Sequence, residues 1–224
     1  PGKRVGPPRR VGDGLATPDE VKRAMLVAFG VTLLAGAPLV ILVDWRLGLV
    51  GVASVAAGWF YTGGANPYGY AGLGEVFVFV FFGLVPVVGT AYVQTLSVTA
   101  SDVVGGIGVG LLACAILVTN NLRDIPGDTA VGKRTLAVRI GPHRTRVLFA
   151  ATMIGAQAAV VPLAALTSWW VLAACASGLL ALAPLRTVLA GAAGADLVPA
   201  LKATGMVLLA YGLLVGAILA VAAG

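Results

Sequence analysis

The fold is decided by residues 102–128, which read DVVGGIGVGLLACAILVTNNLRDIPGD. The first part, residues 102–119, is an almost uninterrupted apolar run whose length matches the hydrocarbon core of a bilayer. The second part, residues 120–128, brings together two Asn, two Asp and one Arg. The apolar run lacks the alternation that a transmembrane strand requires. It is therefore predicted to be a helix that leaves the membrane in a polar segment.

Six further apolar runs occur along the chain, at residues 24–43, 46–62, 75–95, 147–166, 168–185 and 203–223. Of the 224 residues, 59% are hydrophobic and only 11% are charged. A soluble domain has about 25% charged residues, and a disordered chain has low hydrophobicity. The sequence therefore predicts an all-α, polytopic transmembrane helical bundle with about seven spans, in which residues 1–224 form one domain.

The distribution of Lys and Arg predicts the orientation of this bundle. Fourteen of the 15 basic residues lie before the first span, in residues 120–146, or after the sixth span, and seven spans place these regions on one side. Arg46 alone faces the other side. The excess of positive charge indicates the cytoplasm. We expect a multi-pass protein of the cell membrane, with a cytoplasmic segment 1–23 and a cytoplasmic loop 120–146. The basic residues lack aromatic stacking platforms, which argues against nucleic-acid binding.

The polar segment carries the residues best suited to chemistry. On a helix, Asn120, Asp124 and Asp128 share one face. Pro126 and Gly127 make a continuous helix doubtful, so Asp128 is expected on the turn that ends it.

Paired carboxylates at a membrane surface suit a hard divalent cation. Mg²⁺ takes one or two carboxylates and completes its shell with water and phosphate. Lys133 and Arg134 follow closely and supply donors for the same phosphates. The alternative is a solvated loop whose acids balance neighbouring bases, and spacing alone leaves both interpretations open. Carboxylates at a membrane boundary are costly, which favours a function.

A second polar cluster, at residues 61–70, reads YTGGANPYGY and leads through Gly72 and Gly74 to Glu75. Gly and Pro indicate a turn, and the tyrosines offer aromatic walls with polar tips. The alternative interpretation is an interfacial belt of tyrosines. Two pairs of glycines, Gly106 with Gly110 and Gly212 with Gly216, have the spacing of close helix–helix contacts.

Residues 120–128, with 132–141 (GKRTLAVRIG), resemble the second aspartate motif of the UbiA superfamily of intramembrane prenyltransferases. Residues 61–64, 67–70 and 72–75 are similar to the branch that acts on 1,4-dihydroxy-2-naphthoate. The resemblance implies a bundle of nine helices around a cavity, with two facing aspartate motifs. The first motif is absent from this sequence, and residues 4–7 and 15–18 resemble the segment that follows it. We therefore expect the chain to lack two helices of the family fold, and residues 1–224 alone to be inactive.

The resemblance also implies an activity and its residues. Asp124 and Asp128 would hold Mg²⁺ and act in catalysis, and the substrate would be bound by Asn120, Asn121, Arg123, Lys133, Arg134, Tyr61 and Tyr68. The expected reaction transfers a polyprenyl group from polyprenyl diphosphate to dihydroxynaphthoate with loss of CO2, giving demethylmenaquinone. No obligate protein partner is inferred, and the lipid bilayer is the expected setting. The alternatives are a UbiA-type enzyme for another aromatic acceptor, or a non-catalytic or transport bundle.

Overall fold

A computed structural model describes residues 10–12, 14–64 and 67–222. Part of the predicted cytoplasmic segment 1–23, including the resemblance at residues 4–7, lies outside the described residues. The described residues are helical, with connecting turns and no strand, which confirms the predicted all-α membrane fold. The chain divides into two compact units, residues 1–59 and residues 60–224.

The first unit contains helix α1, Pro18–Leu42, and most of helix α2, Arg46–Thr62. Helix α1 begins with a capping box, in which the Thr17 side chain accepts a hydrogen bond from the backbone N–H of Glu20 and the Glu20 carboxylate accepts from the backbone N–H of Thr17. Pro18 at the first helical position needs no hydrogen-bond partner. The helix therefore starts six residues before the predicted span 24–43.

The second unit contains a short 3₁₀ turn, Tyr68–Tyr70, and five long apolar helices. These helices are α3 (Gly74–Thr95), α4 (Ala100–Ala130), α5 (Leu136–Leu166), α6 (Trp169–Leu189) and α7 (Gly194–Ala222). With α1, six helices in the described chain are long and apolar enough to cross a membrane. The predicted span 46–62 is helix α2, but its 17 residues are at the lower limit of that length. The expectation of about seven spans thus becomes six long helices and this shorter one.

Helix α4 is the central helix of the second unit and packs against α3, α5 and α7. Its buried face includes Leu112, Ala115 and Val118, which join a core with Phe149 on α5 and Tyr211 on α7. Small residues let the neighbouring helices approach α4 closely. Arg146 on α5 adds a polar tie, because its Nη2 donates to the carbonyl oxygens of Gly191 and Ala192 between α6 and α7.

The segment 120–146, which was predicted to be a loop, is mostly helical. Helix α4 continues through Pro126 to Ala130, so Asp128 lies on the helix and not on a terminal turn. Helix α5 begins at Leu136 and bends at Gly141, which has φ +80°. Pro126 removes one backbone N–H and crowds the carbonyl oxygen one turn earlier, and α4 accommodates both effects at the edge of the apolar region.

The predicted glycine contacts are made at one pair and not at the other. A Cβ atom on Gly83 of α3 would approach Gly110 within van der Waals overlap and would lie 2.9 Å from the Gly106 carbonyl oxygen. Gly106 and Gly110 therefore form the surface on which α3 rests. Gly212 and Gly216 have no neighbour that a Cβ would contact, so their spacing does not serve a helix contact in the described chain.

The contact between Gly83 and Gly110 generates a stability prediction. Gly83→Ala should destabilise the protein by about 1–3 kcal/mol, because the added methyl meets backbone atoms that cannot rotate away. Thermal unfolding in detergent measures the effect as a lower melting temperature. The matched control is Gly89→Ala on the same helix, where a Cβ meets nothing. A Gly83→Ala melting temperature equal to that of the control would contradict the packing described.

Candidate active site

The acidic residues of the candidate site lie on the last three turns of α4. Asn121, Asp124 and Asp128 follow one another at spacings of three and four residues, so they lie on one side of the helix. Asn121 and Asp128 are buried, and Asp124 is partly buried. The continuous helix, and not a flexible loop, fixes the spacing between the two carboxylates.

Each carboxylate has a cationic neighbour. Arg123 forms a bidentate pair with Asp124, with 2.8 Å from Nε to Oδ1 and 2.9 Å from Nη2 to Oδ2. Lys133 Nζ lies 3.3 Å from Asp128 Oδ2, a buried oxygen that accepts no hydrogen bond among the described residues. Both basic groups therefore stand where they neutralise the acids and where a phosphate group could also reach them.

The turn between α4 and α5 is held against the tyrosine cluster. The backbone N–H of Arg134 donates to the Tyr70 carbonyl oxygen at 3.1 Å. The Lys133 ammonium lies 5.3 Å from the centre of the Tyr70 ring, within the range of a cation–π interaction. Arg139 Nε donates to the Arg134 carbonyl oxygen at 3.0 Å. These contacts bring the predicted basic residues beside the second polar cluster, 60 or more positions earlier in the chain.

The tyrosines themselves form a stacked aromatic group. The rings of Tyr61 and Tyr68 meet edge to face with centroids 5.5 Å apart, and Tyr68 stacks on Phe77 at 3.7 Å. Phe77 in turn stacks on Phe81, deeper along α3, at 6.0 Å. Gly69 lets the 3₁₀ turn approach, because a Cβ there would lie 2.6 Å from the Tyr61 carbonyl oxygen. An aromatic surface thus runs from the polar site along α3.

Two of these functional neighbours were not singled out from the sequence. Phe77 is one aromatic residue among many in an apolar run, and no local pattern marks it. Glu75 stood at the end of the tyrosine motif, and its Oε1 accepts a hydrogen bond from Asn121 Nδ2 at 3.0 Å. The sequence did contain a signal for Glu75, because an acidic residue in the first turn of a membrane helix is energetically costly and usually has a function.

The predicted site residues are otherwise placed as follows. Asn120 lies partly buried on α4, next to Asn121. Arg134 has an exposed side chain, and Lys133 is partly buried. The structure gives no cluster of three or more His, Cys, Asp or Glu side chains among the described residues. The two carboxylates nevertheless fit Mg²⁺, because the buried Asp128 Oδ2 accepts no hydrogen bond and has only the Lys133 ammonium beside it, and this ion needs only one or two carboxylates.

The long apolar helices define a polytopic membrane protein. Its paired carboxylates and bases, at one end of helix α4, form a polar site at the edge of the bilayer. The UbiA prenyltransferase family model matches residues 7–192, and the chain belongs to this family. It is 44% identical over 217 residues to the 1,4-dihydroxy-2-naphthoate octaprenyltransferase of Mycobacterium tuberculosis, covering 97% of this chain and 74% of that protein.

Two other relatives carry the same name. The protein of Mycobacterium leprae is 44% identical over 223 residues, covering 98% of this chain and 74% of the relative. The protein of Escherichia coli is 38% identical over 158 residues, covering 68% of this chain and 51% of the relative. No solved structure matches the chain. The family membership confirms the resemblance that the two motifs indicated.

The packing around Tyr68 predicts how its phenol titrates. The pKa of Tyr68 is raised, first because burial disfavours the ionised form and second because ionised Tyr61 would repel it. A spectroscopic titration of tyrosinate should therefore contain a component above the ordinary value of about 10 that Tyr68→Phe removes. Because the phenol of the unfolded chain ionises at a lower pH than the folded one, the raised pKa favours unfolding at high pH. The folded state keeps its full stability below about pH 10 and loses stability as the pH rises further.

The control for this titration is Phe77→Leu. Loss of the stacked ring lets water reach Tyr68, so the same component should move back towards the ordinary value. A Tyr68→Phe titration that overlays the wild-type curve at high pH would contradict the assignment.

Proposed function

We propose that this chain transfers a polyprenyl group from polyprenyl diphosphate to 1,4-dihydroxy-2-naphthoate with loss of CO2, giving demethylmenaquinol, the hydroquinone form of demethylmenaquinone, for menaquinone biosynthesis. The observation that carries the proposal is the pair Asp124 and Asp128 on one side of α4, each beside a cation. Membership of the UbiA prenyltransferase family and the names of the relatives support the reaction and the acceptor.

The donor end of the site needs charge neutralisation, because a diphosphate brings several negative charges to the edge of the membrane. Asp124 and Asp128 would hold Mg²⁺, and when bound this ion supplies the Lewis acidity that makes diphosphate a good leaving group. Arg123 and Lys133 already pair with these acids. When a diphosphate enters, their N–H groups can donate to its oxygens, with Arg134 available from the exposed side of the turn.

The side-chain amides of Asn120 and Asn121 extend the same polar face towards the interior of the unit. Asn121 is buried, so its amide is held in one orientation by its bond to Glu75. A fixed amide costs no reorganisation when a charged group arrives, which is the physical basis of electrostatic preorganisation.

The acceptor end of the site is proposed to lie at Tyr61 and Tyr68. Their rings supply flat apolar surface for a naphthoate ring, and their π faces favour the positive charge that develops on the allylic carbon. The apolar side chains of α3 and α4 beyond them would hold the isoprenoid tail and keep water from the cation.

The charge distribution supports an orientation for the enzyme. We place the last turn of α4 and the start of α5 at the cytoplasmic face of the cell membrane, because the basic residues gather there. Both proposed substrates can reach this face, the diphosphate head from the aqueous side and the tail from the lipid.

Replacing the carboxylates tests the site. Asp124→Asn and Asp128→Asn should each lower prenyl transfer by about 100-fold or more, because each removes the charge that is proposed to bind the metal. The assay uses the protein in vesicles with polyprenyl diphosphate, dihydroxynaphthoate and Mg²⁺. The matched control is Asp196→Asn, an exposed acid at the start of α7, which should keep full activity. Full activity in both α4 variants would refute the assigned roles.

Removal of the ion tests the metal separately. Chelation of divalent cations should abolish product formation, and Mg²⁺ should restore it, because the ion is proposed to neutralise the leaving diphosphate. Unchanged turnover after exhaustive chelation would exclude a metal-dependent mechanism.

A further inference from the structure

The Glu75 carboxylate has one satisfied oxygen and one that is not. Its Oε1 accepts the hydrogen bond from Asn121 Nδ2 at 3.0 Å. Its Oε2 is buried and has no hydrogen-bond partner among the described residues. No Lys or Arg in the described chain forms an ion pair with it. Such an oxygen is costly to keep, because burial removes water without a replacement donor.

The surroundings of Glu75 point to an aromatic ligand. Tyr61 lies beside the start of α3, where a Cβ on Gly74 would be 3.8 Å from its ring. Tyr61 contacts Tyr68, and Tyr68 stacks on Phe77, two residues after Glu75 on the same helix. The first turn of α3, which carries Glu75, therefore adjoins the tyrosine cluster, and the Glu75 side chain contacts α4 at Asn121, one turn before the proposed donor site.

The elements on either side fix this position. Glu75 is in the first turn of α3, and Asn121 is one turn before Asp124 on α4. Cys114 Sγ donates to the Glu75 backbone carbonyl oxygen at 3.1 Å, so the backbone of this turn is also tied to α4. These two contacts hold the Glu75 carboxylate in a fixed position. A fixed position favours ligand binding, whereas a solvated surface acid moves freely.

We propose that Glu75 binds a hydroxyl group of the aromatic acceptor through Oε2 and takes its proton as the ring attacks the prenyl donor. The inference rests on the proposed function and assigns it an acceptor-binding residue. The hydroxyl is the one ortho to the attacking ring carbon, which bears the carboxylate. Removal of its proton makes that carbon more electron-rich, and general-base assistance of this kind contributes about 10²–10⁴-fold to rate.

The step balances with the groups named. The C–O bond of the prenyl diphosphate breaks, and its electron pair leaves with diphosphate. A C–C bond forms from the ring to the allylic carbon, the hydroxyl proton passes to Glu75, and the ring oxygen becomes a ketone. Loss of CO2 returns an electron pair to the ring, and the resulting enolate oxygen takes the proton back from Glu75. The carboxylate is unchanged after one turnover, and no oxidant or reductant is needed.

Binding of two stable acceptor analogues tests the hydrogen bond without turnover. The probes are 1-hydroxy-2-naphthoate and 1-methoxy-2-naphthoate; the second has a methyl group in place of the donor hydrogen, and the effect of its size is common to all the variants compared. The wild-type protein should bind the hydroxy compound about tenfold to a hundredfold more tightly, as expected for a hydrogen bond to a buried charged group. Glu75→Gln should bind the two compounds with nearly equal affinity.

The matched control is Glu20→Gln, which makes the same chemical change at an exposed helix cap, where Gln also completes a capping box. It should keep the wild-type preference. Glu75→Asp retains a carboxylate and should retain part of the preference. This result would distinguish loss of the hydrogen-bonding carboxylate from loss of the fold. In the prenyl-transfer assay, Glu75→Gln should raise KM for the acceptor and lower kcat, with KM for the diphosphate unchanged.

A preference for the hydroxy compound in Glu75→Gln equal to that of Glu20→Gln would overturn the role of Glu75, and wild-type prenyl transfer would still uphold the proposed function. Failure of the wild-type protein to bind either naphthoate would instead overturn the acceptor class and this inference with it.

Discussion

The close approach of α3 to α4 is the contact on which the candidate site depends. Gly83 and Gly110 let the two backbones meet, and this contact lies about two turns from Glu75 on α3 and about three turns from Asn121 on α4. In a membrane, helices gain little from hydrophobic association and rely on packing and polar contacts. The glycine contact therefore determines how near Glu75 comes to Asn121. A wider separation would leave the carboxylate, the asparagine and the tyrosines on separate surfaces.

The carboxylates at this end of the molecule differ in whether a cation is paired with them. Asp124 and Asp128 stand on a continuous helix with a cation beside each, Arg123 and Lys133. Glu75 forms no ion pair among the described residues, and its Oε1 accepts a hydrogen bond from Asn121. Carboxylates in such different environments are suited to different tasks, because a carboxylate beside a cation is already neutralised, while a buried oxygen without a donor leaves a hydrogen-bond acceptor open to a ligand. The proposed donor and acceptor roles follow this difference.

The sequence predicted the helical membrane class and the family, and it misjudged local boundaries. Pro126 and Gly127 indicated the end of a helix, yet α4 continues to Ala130 because packing on α3 and α5 stabilises its last turns. Gly212 and Gly216 had the spacing of a contact surface and face open space, since spacing does not say whether a partner helix lies there. Helix α2 has only 17 residues, so an apolar composition identifies the run but does not establish that the run crosses the membrane.

By itself, the sequence determined the class of protein, the family and the pair of carboxylates at one helical end. These properties are local, because hydropathy, charge and a motif of consecutive residues are read along the chain. Only the tertiary structure decided which distant groups meet. Glu75 and Asn121 are separated by 46 positions, and Tyr70 holds the turn that carries Lys133. Such contacts depend on how helices pack against one another. The periodicity of a single helix shows which face is apolar but does not show which helix packs there.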